Sequence, residues 1–413
     1  MNVIVLSIDR LHAGYLGCYG NTWVATPRFN RLAAESFVFD QATIDHPRLD
    51  ELVRSWWLGQ HALERTAGKS EPPPTLPQRL AQAGLATALI TDEPQVAEHP
   101  LAGHFGELLQ VAQRDPPPSG RPADDVAHTG FATLMAEATE WLAQARQPFF
   151  LWLHSQGMKA AWDAPDDFRQ LYAEPDEPEP PRLLAAPCRQ LTGDEDPDEV
   201  WGICQAYAGQ VSLVDACLGG LLEFLDGDSC GRETLLSVVG ARGFPLGRNG
   251  RISAPDNALY SELAQVPWLM RLPGGFGAAV RSQALVQTCD LAPTLTNLLG
   301  IGDPPTSSVG CGLLQLIHED VESVRDRVCL IGADGERAIR TPGWYLRLPA
   351  GDEQVAELFA KPDDRWDQND VADRCPEVVD GLRQALDELE THVRGGALGG
   401  LPPLEESLAG ELT

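Results

Sequence analysis

The nine cysteines of this 413-residue chain include no C-x-x-C pair and follow no regular spacing. An odd, unspaced set argues against a disulfide framework or a thiolate zinc site. These residues read as small buried hydrophobes in a reducing compartment, with cytoplasm the expected location. Positive charge is scarce as well: Lys and Arg number 31 against 60 Asp and Glu, a net charge of −29. Spread along the chain, that excess repels nucleic acid and anionic membrane, so neither is an expected partner. No apolar run reaches eighteen residues, so no membrane span is expected. The opening MNVIVLSIDR has a short apolar run without a basic region or cleavage site, and reads as a strand rather than a secretory signal.

What is present is core material: 43% hydrophobic residues and ten tryptophans, in a chain long enough for one large α/β domain and a smaller one. Residues Asn2–Ile8 form a β-branched run of the buried, parallel-sheet kind. TPRFNRLAAESFVFDQAT predicts a short helix running into a strand, and LPQRLAQAGLATALITDE a helix stopped at Gly84 and then a strand. After the break RDPPPSGRPADD come a helix near Ala127–Ala145 and the strand PFFLWLH. The Pro- and acid-rich stretch 174–199 reads as a surface loop or a partly disordered segment, followed by a long helix from about Glu199 to Leu225. TLLSVVG and VPWLMRLPG are strands, and TCDLAPTLTNLLGI is a short helix with an Asp cap and a terminal glycine. Alternating strands and helices predict a large, mostly parallel sheet flanked by helices over residues 1–324. Short strands (RVCLIGA, ERAIRT, WYLRLP) and a helix near Pro376–Val393 predict a small α+β subdomain over 325–393. Residues 394–413 are expected to be a mobile tail.

NVIVLSIDRLHAGYLGCYGNTWVATPRFNRLAAESFVFDQA resembles the opening of the sulfatase family, within the alkaline phosphatase superfamily. FFLWLH, VSLVDACLGGLLEFLD, LYSELAQVPWLMRLPG, VQTCDLAPTLTNLLGI and ELFAKPDDRWDQNDVA resemble family segments in the same order, so the likeness runs from about Asn2 to Leu389. It implies a sulfatase-like, alkaline-phosphatase-like α/β fold. It also implies a chemistry: a divalent cation, usually calcium, held by carboxylates and an amide or imidazole. The cation polarises a sulfate and activates a formylglycine nucleophile made from Cys or Ser in a C/S-x-P-x-R motif, while Lys and His balance the developing charge.

Carried over residue by residue, the resemblance departs at most of these positions. Asp9 matches the first metal-binding aspartate, but its neighbour is Arg10, and Gly14 stands where some relatives have another acid. In DHPRLDELVRSWWLG, counting back from Gly59 puts Leu49 at the nucleophile, whereas anchoring on Arg54 puts Asp50 there; neither can become formylglycine. Asp92 falls where a lysine is usual. His154 ends its strand as in relatives, and Lys159 stands for the catalytic histidine. The Asp-His-Gly or Asp-Asn-Gly after TLLSVV is replaced by Gly240-Ala241-Arg242-Gly243, so Asp9 is the one matching metal ligand.

These departures predict that guanidiniums of Arg10 and Arg242 replace the ion, pairing with Asp9 and Asp50 in a buried network. Asp50 is expected to be the N-cap of its helix, filling an anion seat with the protein's own carboxylate. His46 reads as a loop residue, Trp56 and Trp57 as packing, and Lys159 and Arg242 as the groups available to an anionic ligand. The favoured reading is a sulfatase-like pseudoenzyme with a binding or assembly role, a protein or small anionic ligand as partner, and no cofactor. The alternative is a divergent sulfate- or phosphate-ester hydrolase with rearranged groups, drawing on Asp92, Asp256, Asn257 or Asp290, and only then calcium or another divalent ion. Oligomeric state is not set by the sequence.

Overall fold

The computed structural model describes the chain except residues 65–72, 113–121, 178, 228–230, 254–257, 303–309, 320, 352–354, 396–400 and 411–413. Most of the RDPPPSGRPADD break therefore lies outside the described residues. The strands are β1 (Asn2–Ile8), β2 (Phe37–Thr43), β3 (Ala86–Thr91), β4 (Glu107–Gln110), β5 (Phe149–Ser155), β6 (Arg189–Gln190), β7 (Thr234–Gly240), β8 (Arg251–Ile252), β9 (Trp268–Arg271) and β10 (Val280–Gln287). Eight of them form a sheet in the order β10-β2-β9-β7-β1-β5-β3-β4, and β6 pairs with β8 alone. The predicted α/β architecture is the observed one. β1, β5 and β7 are buried at every position, the pattern of parallel strands covered on both faces.

By compactness the chain forms two interleaved units rather than successive domains split at residue 324. The first comprises Met1–Val38, Gly84–Pro255 and Val266–Arg281. Here β1 runs parallel between β5 and β7, with Ile8 level with both Ser155 and Gly240, so three strands end together. The helix Gly130–Gln144 starts three residues later than expected because a 3₁₀ turn, Val126–His128, precedes it and Thr129 caps it. The helix Pro197–Gly227 starts two residues early, since proline is favourable at a first turn. It is long and apolar enough to cross a membrane by composition, yet 78% of its most apolar window is buried, as befits a core helix.

The second unit comprises Phe39–Ala83, Asp256–Gln265 and Ser282–Thr413. Its antiparallel sheet has the order β11 (Val328–Ile331), β12 (Arg337–Arg340), β13 (Trp344–Leu348) and β14 (Glu357–Ala360). β14 lies within a stretch of family likeness but was not expected as a strand. The helix Pro376–Gly395 presents Val379, Leu382, Leu386, Leu389 and Val393, one stripe at helical spacing, to Cys329, Ile339, Leu346 and Leu358 of that sheet. Leu382 and Leu386 are fully buried, and truncating either to alanine should cost about 2–5 kcal/mol.

Residues 401–408 of the expected mobile tail are packed instead, while 396–400 and 411–413 lie outside the described residues. Leu401, Leu404 and Leu408 pack on the same cluster, and the Leu404 amide donates to Asp326 at 2.8 Å. Arg327 donates to the Pro402 carbonyl at 2.6 Å, and the Trp344 indole to Ser407 at 3.0 Å. A glycine- and proline-rich composition hid three leucines spaced to reach one core.

Candidate functional site

The common end of β1, β5 and β7 places three chain segments side by side. Asp9 follows β1, and its amide donates to the Ser155 carbonyl at 3.0 Å while its own carbonyl accepts from Met158 N at 3.0 Å. Gly157, at φ +51°, makes that approach possible: a Cβ there would sit 2.2 Å from the Asp9 carbonyl. On the other side the Ala241 amide donates to Ile8 O at 2.9 Å, which brings Arg242 over Asp9.

Arg242 Nε donates to Asp9 Oδ1 at 2.9 Å and Nη2 to Oδ2, a bidentate fork on a fully buried carboxylate. Burial works to raise the Asp9 carboxyl, but the charge and hydrogen bonds of Arg242, helped by Arg10, hold it down at about 2. Arg10 takes a left-handed φ of 63°, unusual for a residue with a side chain, and its Nη1 lies 3.5 Å from the Gly243 carbonyl. The Tyr207 hydroxyl donates to the Arg10 carbonyl at 2.7 Å and accepts from His12 N at 2.9 Å.

His154 is fully buried, with Nδ1 at 2.7 Å from Ser7 Oγ. Burial pushes its imidazole down to about 4, with Arg242 and Lys159 acting the same way and Asp9 opposing. Asp92 accepts from Gln156 N at 2.8 Å, and burial raises it to about 7 against that hydrogen bond. Lys159 pairs at 2.7 Å with Glu93, which is buried and also accepts from Gln95 N at 3.0 Å. Glu93, Gln156 and Tyr207 escaped the sequence reading. Glu93 precedes a proline that opens a short helix, a cap signal that could have found it; nothing marks Tyr207.

The structure thus gathers Asp9, Arg10, His154, Ala241 and Arg242 in the first unit, with Lys159 held to Glu93 nearby. Gly14 serves a 3₁₀ turn, its amide donating to His12 Nδ1 at 2.8 Å. A divalent cation wanting six to eight oxygens does not fit these donors. Both Asp9 oxygens face a guanidinium and residue 241 offers a methyl group. Among the described residues no three His, Cys, Asp or Glu side chains are grouped to hold an ion. Arg242, 4% exposed and committed to Asp9, is not a free hand for an incoming anion.

In the second unit, DHPRLDELVRSWWLG forms the helix Leu49–Leu58, and two expectations fail there. The N-cap is Arg48, which leaves Asp50 at the second helical position. Asp50 pairs with Arg48 at 2.6 Å, both side chains about half exposed, rather than joining a buried network. A short Arg48–Asp50 reach on one turn outcompetes any distant partner. Burial tends to raise the Asp50 carboxyl, but the Arg48 hydrogen bonds and charge bring it below its ordinary value. Leu49 is buried. Arg54 pairs with Glu51 at 3.0 Å and donates to the Ala62 carbonyl at 3.1 Å, clamping the turn after the helix. Ser55 is buried and donates to Asp45 at 3.2 Å. His46 accepts from Arg48 N at 3.0 Å in the entering turn, and Trp56 and Trp57 are fully buried core residues.

Asp290 does not cap the helix Leu291–Leu298 with its side chain. It accepts from Gln287 N at 2.8 Å, Cys311 N at 2.8 Å and Arg325 at 2.7 Å, a staple across a loop. The glycine stop is as expected: Gly300 is left-handed, and Ile301 N reaches back to Thr296 O at 2.9 Å. Asp256 and Asn257 lie outside the described residues.

The chain resembles known sulfatases in sequence and known hydrolases in fold. The chain is 21% identical over 405 residues to an N-acetylglucosamine-6-O-sulfatase of Bacteroides thetaiotaomicron, covering 79% of this chain and 72% of that one. It is 31% identical over 204 residues to an endo-4-O-sulfatase of the same organism, 44% of this chain but only 40% of the relative. A structure in complex with its substrate D-glucosamine-2-N,6-O-disulfate superposes with a TM-score of 0.77 at 17% identity, over 95% of this chain and 98% of the other. The phosphonate monoester hydrolase of Agrobacterium radiobacter gives 0.77 at 16%, over 95% and 96%. The sulfatase family model matches residues 1–301, most of the chain and all of the three strand ends that meet at Asp9. The chain therefore belongs to the sulfatase family, in the alkaline phosphatase superfamily.

Proposed function

We propose that this sulfatase-family chain has given up hydrolysis through a divalent ion at Asp9 and acts by binding, with a protein or a small anionic ligand as its partner in the cytoplasm. The observation that carries the reading is the bidentate Arg242–Asp9 pair, which balances the buried carboxylate with a charge fixed to the chain. Leu49 and Asp50, the two residues at the nucleophile position by likeness, support it, since neither can be converted to formylglycine. The test is metal content after equilibration with calcium, magnesium and manganese, together with turnover of aryl sulfate, phosphate and phosphonate esters. Near-zero metal and no turnover beyond a mock preparation support the proposal; one tightly held ion per chain sinks it.

A second reading is a divergent ester hydrolase with rearranged groups. The relatives favour it: two sulfatases by sequence, a phosphonate monoester hydrolase by fold. The chemistry would need an acid–base group near neutrality, and Asp92, raised to about 7 and bonded to the Gln156 amide, is suited to that. Turnover that copurifies with the chain and is lost in Asp92→Asn, with the fold intact, would establish it over the first.

A further inference from the structure

The second unit contains a small polar cavity of about 20 Å³ whose lining includes three cations, Arg340, Lys361 and Arg365, and no acid. Other buried cations described in this unit are balanced, Lys361 of the lining among them. Arg347 pairs with Glu336 at 2.5 Å, Arg325 with Asp290 at 2.7 Å, and Lys361 with Asp367 at 2.6 Å. Arg340, 6% exposed, is the exception: it forms no ion pair with a carboxylate among the described residues.

Its hydrogen bonds are uneven. Nη1 donates to Thr341 O at 2.7 Å and lies 3.3 Å from Trp344 O and 3.4 Å from Pro342 O. Nη2 makes one contact, 3.3 Å to Gln41 Oε1. A guanidinium has five N–H donors in a fixed plane, so this one has donor capacity left over. Carbonyls alone can hold a buried arginine, as Arg169 shows with the Pro181 and Leu183 carbonyls at 3.0 and 3.2 Å. Arg340 differs because it faces a cavity beside two more cations. Burial pulls its guanidinium down to about 10 even with Asp367 and Tyr345 opposing, the mark of a charge short of compensation.

We propose that this cavity binds a monovalent anion of chloride size against the Arg340 guanidinium. An uncompensated buried cation is costly, and an anion in contact with it offsets that cost. Size selects the ligand class: about 20 Å³ admits one water-sized group, too little for a tetrahedral oxyanion. The site is separate from Asp9 and does not depend on whether the chain hydrolyses esters.

The test uses the full chain. Crystals soaked in sodium bromide should show an anomalous peak in the cavity beside Arg340. In solution, replacing gluconate by chloride at equal ionic strength should raise the wild-type melting temperature by about 2 °C, and Arg340→Met should abolish that difference. Density fitting only a water, or a bromide peak with identical melting in the two salts, an adventitious ion only, overturns the proposal. The bromide experiment needs no variant, so a poorly folding Arg340→Met does not shield it.

Discussion

The Tyr207 hydroxyl donates to the carbonyl of Arg10, 197 positions earlier in the chain, at 2.7 Å. The same oxygen accepts from His12 N, so one phenol brackets the left-handed residue that follows Asp9. Tyr207→Phe keeps the ring packing on Tyr15, Trp162 and Phe244 but removes both bonds. The expected loss is about 1–2 kcal/mol in chemical denaturation, with slopes unchanged. A loss below a few tenths would mean that the turn holds itself.

Arg242→Ala leaves Asp9 buried with its fork gone, and unfolding free energy should drop by about 3–5 kcal/mol. Asp9→Ala alone strands the guanidinium and should cost a similar amount. The double variant should lose clearly less than the sum, because no uncompensated charge remains. A double-mutant cycle by urea titration reads this directly, and additive losses would refute the coupling.

Stability should respond to pH through groups of opposite sign, among them Asp9, His154, Asp92 and Asp215 in the first unit. Asp9 is depressed from 3.8 to about 2, so its contribution, about 2 kcal/mol, is complete above pH 4 and disappears as the pH falls towards 2. His154 is depressed from 6.5 to about 4; the unfolded chain takes up a proton first, and stability falls as the pH drops through that window. Asp92, raised to about 7, and Asp215, raised to about 6, hold protons that the unfolded chain releases, so their stabilisation fades as the pH rises from 3.8 to those values. Between pH 4 and 6.5 the trends oppose each other. Asp92→Asn should therefore show stability climbing more steeply with pH there than wild type, and exceed wild type above pH 7, in melting scans across pH. Parallel curves would place the Asp92 proton elsewhere.

The Arg48–Asp50 pair is about half exposed on both sides. Asp50→Asn should shift stability by less than about 1 kcal/mol, and the shift should shrink in high salt. Under the binding reading it should also leave any copurifying esterase signal unchanged. A signal that vanished with Asp50→Asn would revive this carboxylate as a reacting group.

Asp290 was a candidate for a rearranged site, and its three hydrogen bonds give it a structural duty instead. Burial works to lower the Arg325 guanidinium, but Asp290 and nearby cysteines carry it above its ordinary value. Asp290→Ala strands that cation and two amides, and the expected cost is about 3–5 kcal/mol by thermal or urea unfolding. A change under 1 kcal/mol would show the loop to be held by other contacts.

Much of this was legible from residues alone. β1 is legible as a β-branched run and β7 as a buried strand, Gly84 and Gly300 stop their helices as expected, and Asp9 and Arg242 pair as expected. Some failures depend on what approaches from far along the chain, and one on a neighbour two residues away. Leu401, Leu404 and Leu408 look like loose ends until the core built from Cys329 to Val393 is known. β4, mostly exposed ELLQ, carries no burial pattern at all. Asp50 pairs with Arg48 two residues away, a local reach that likeness to relatives does not reveal. The interleaving of the two units is invisible to any reading that takes domains as consecutive stretches.

The fork of Arg242 on Asp9 has a further consequence for how the molecule is made. A site balanced by an ion is complete only where the ion is supplied, and it can be emptied by a chelator or by dilution. Here the balancing charge is part of the polypeptide and arrives with translation, at unit stoichiometry, in any medium. Assembly of this pocket should therefore proceed at the same rate in EDTA as in millimolar calcium, with no holding period for loading.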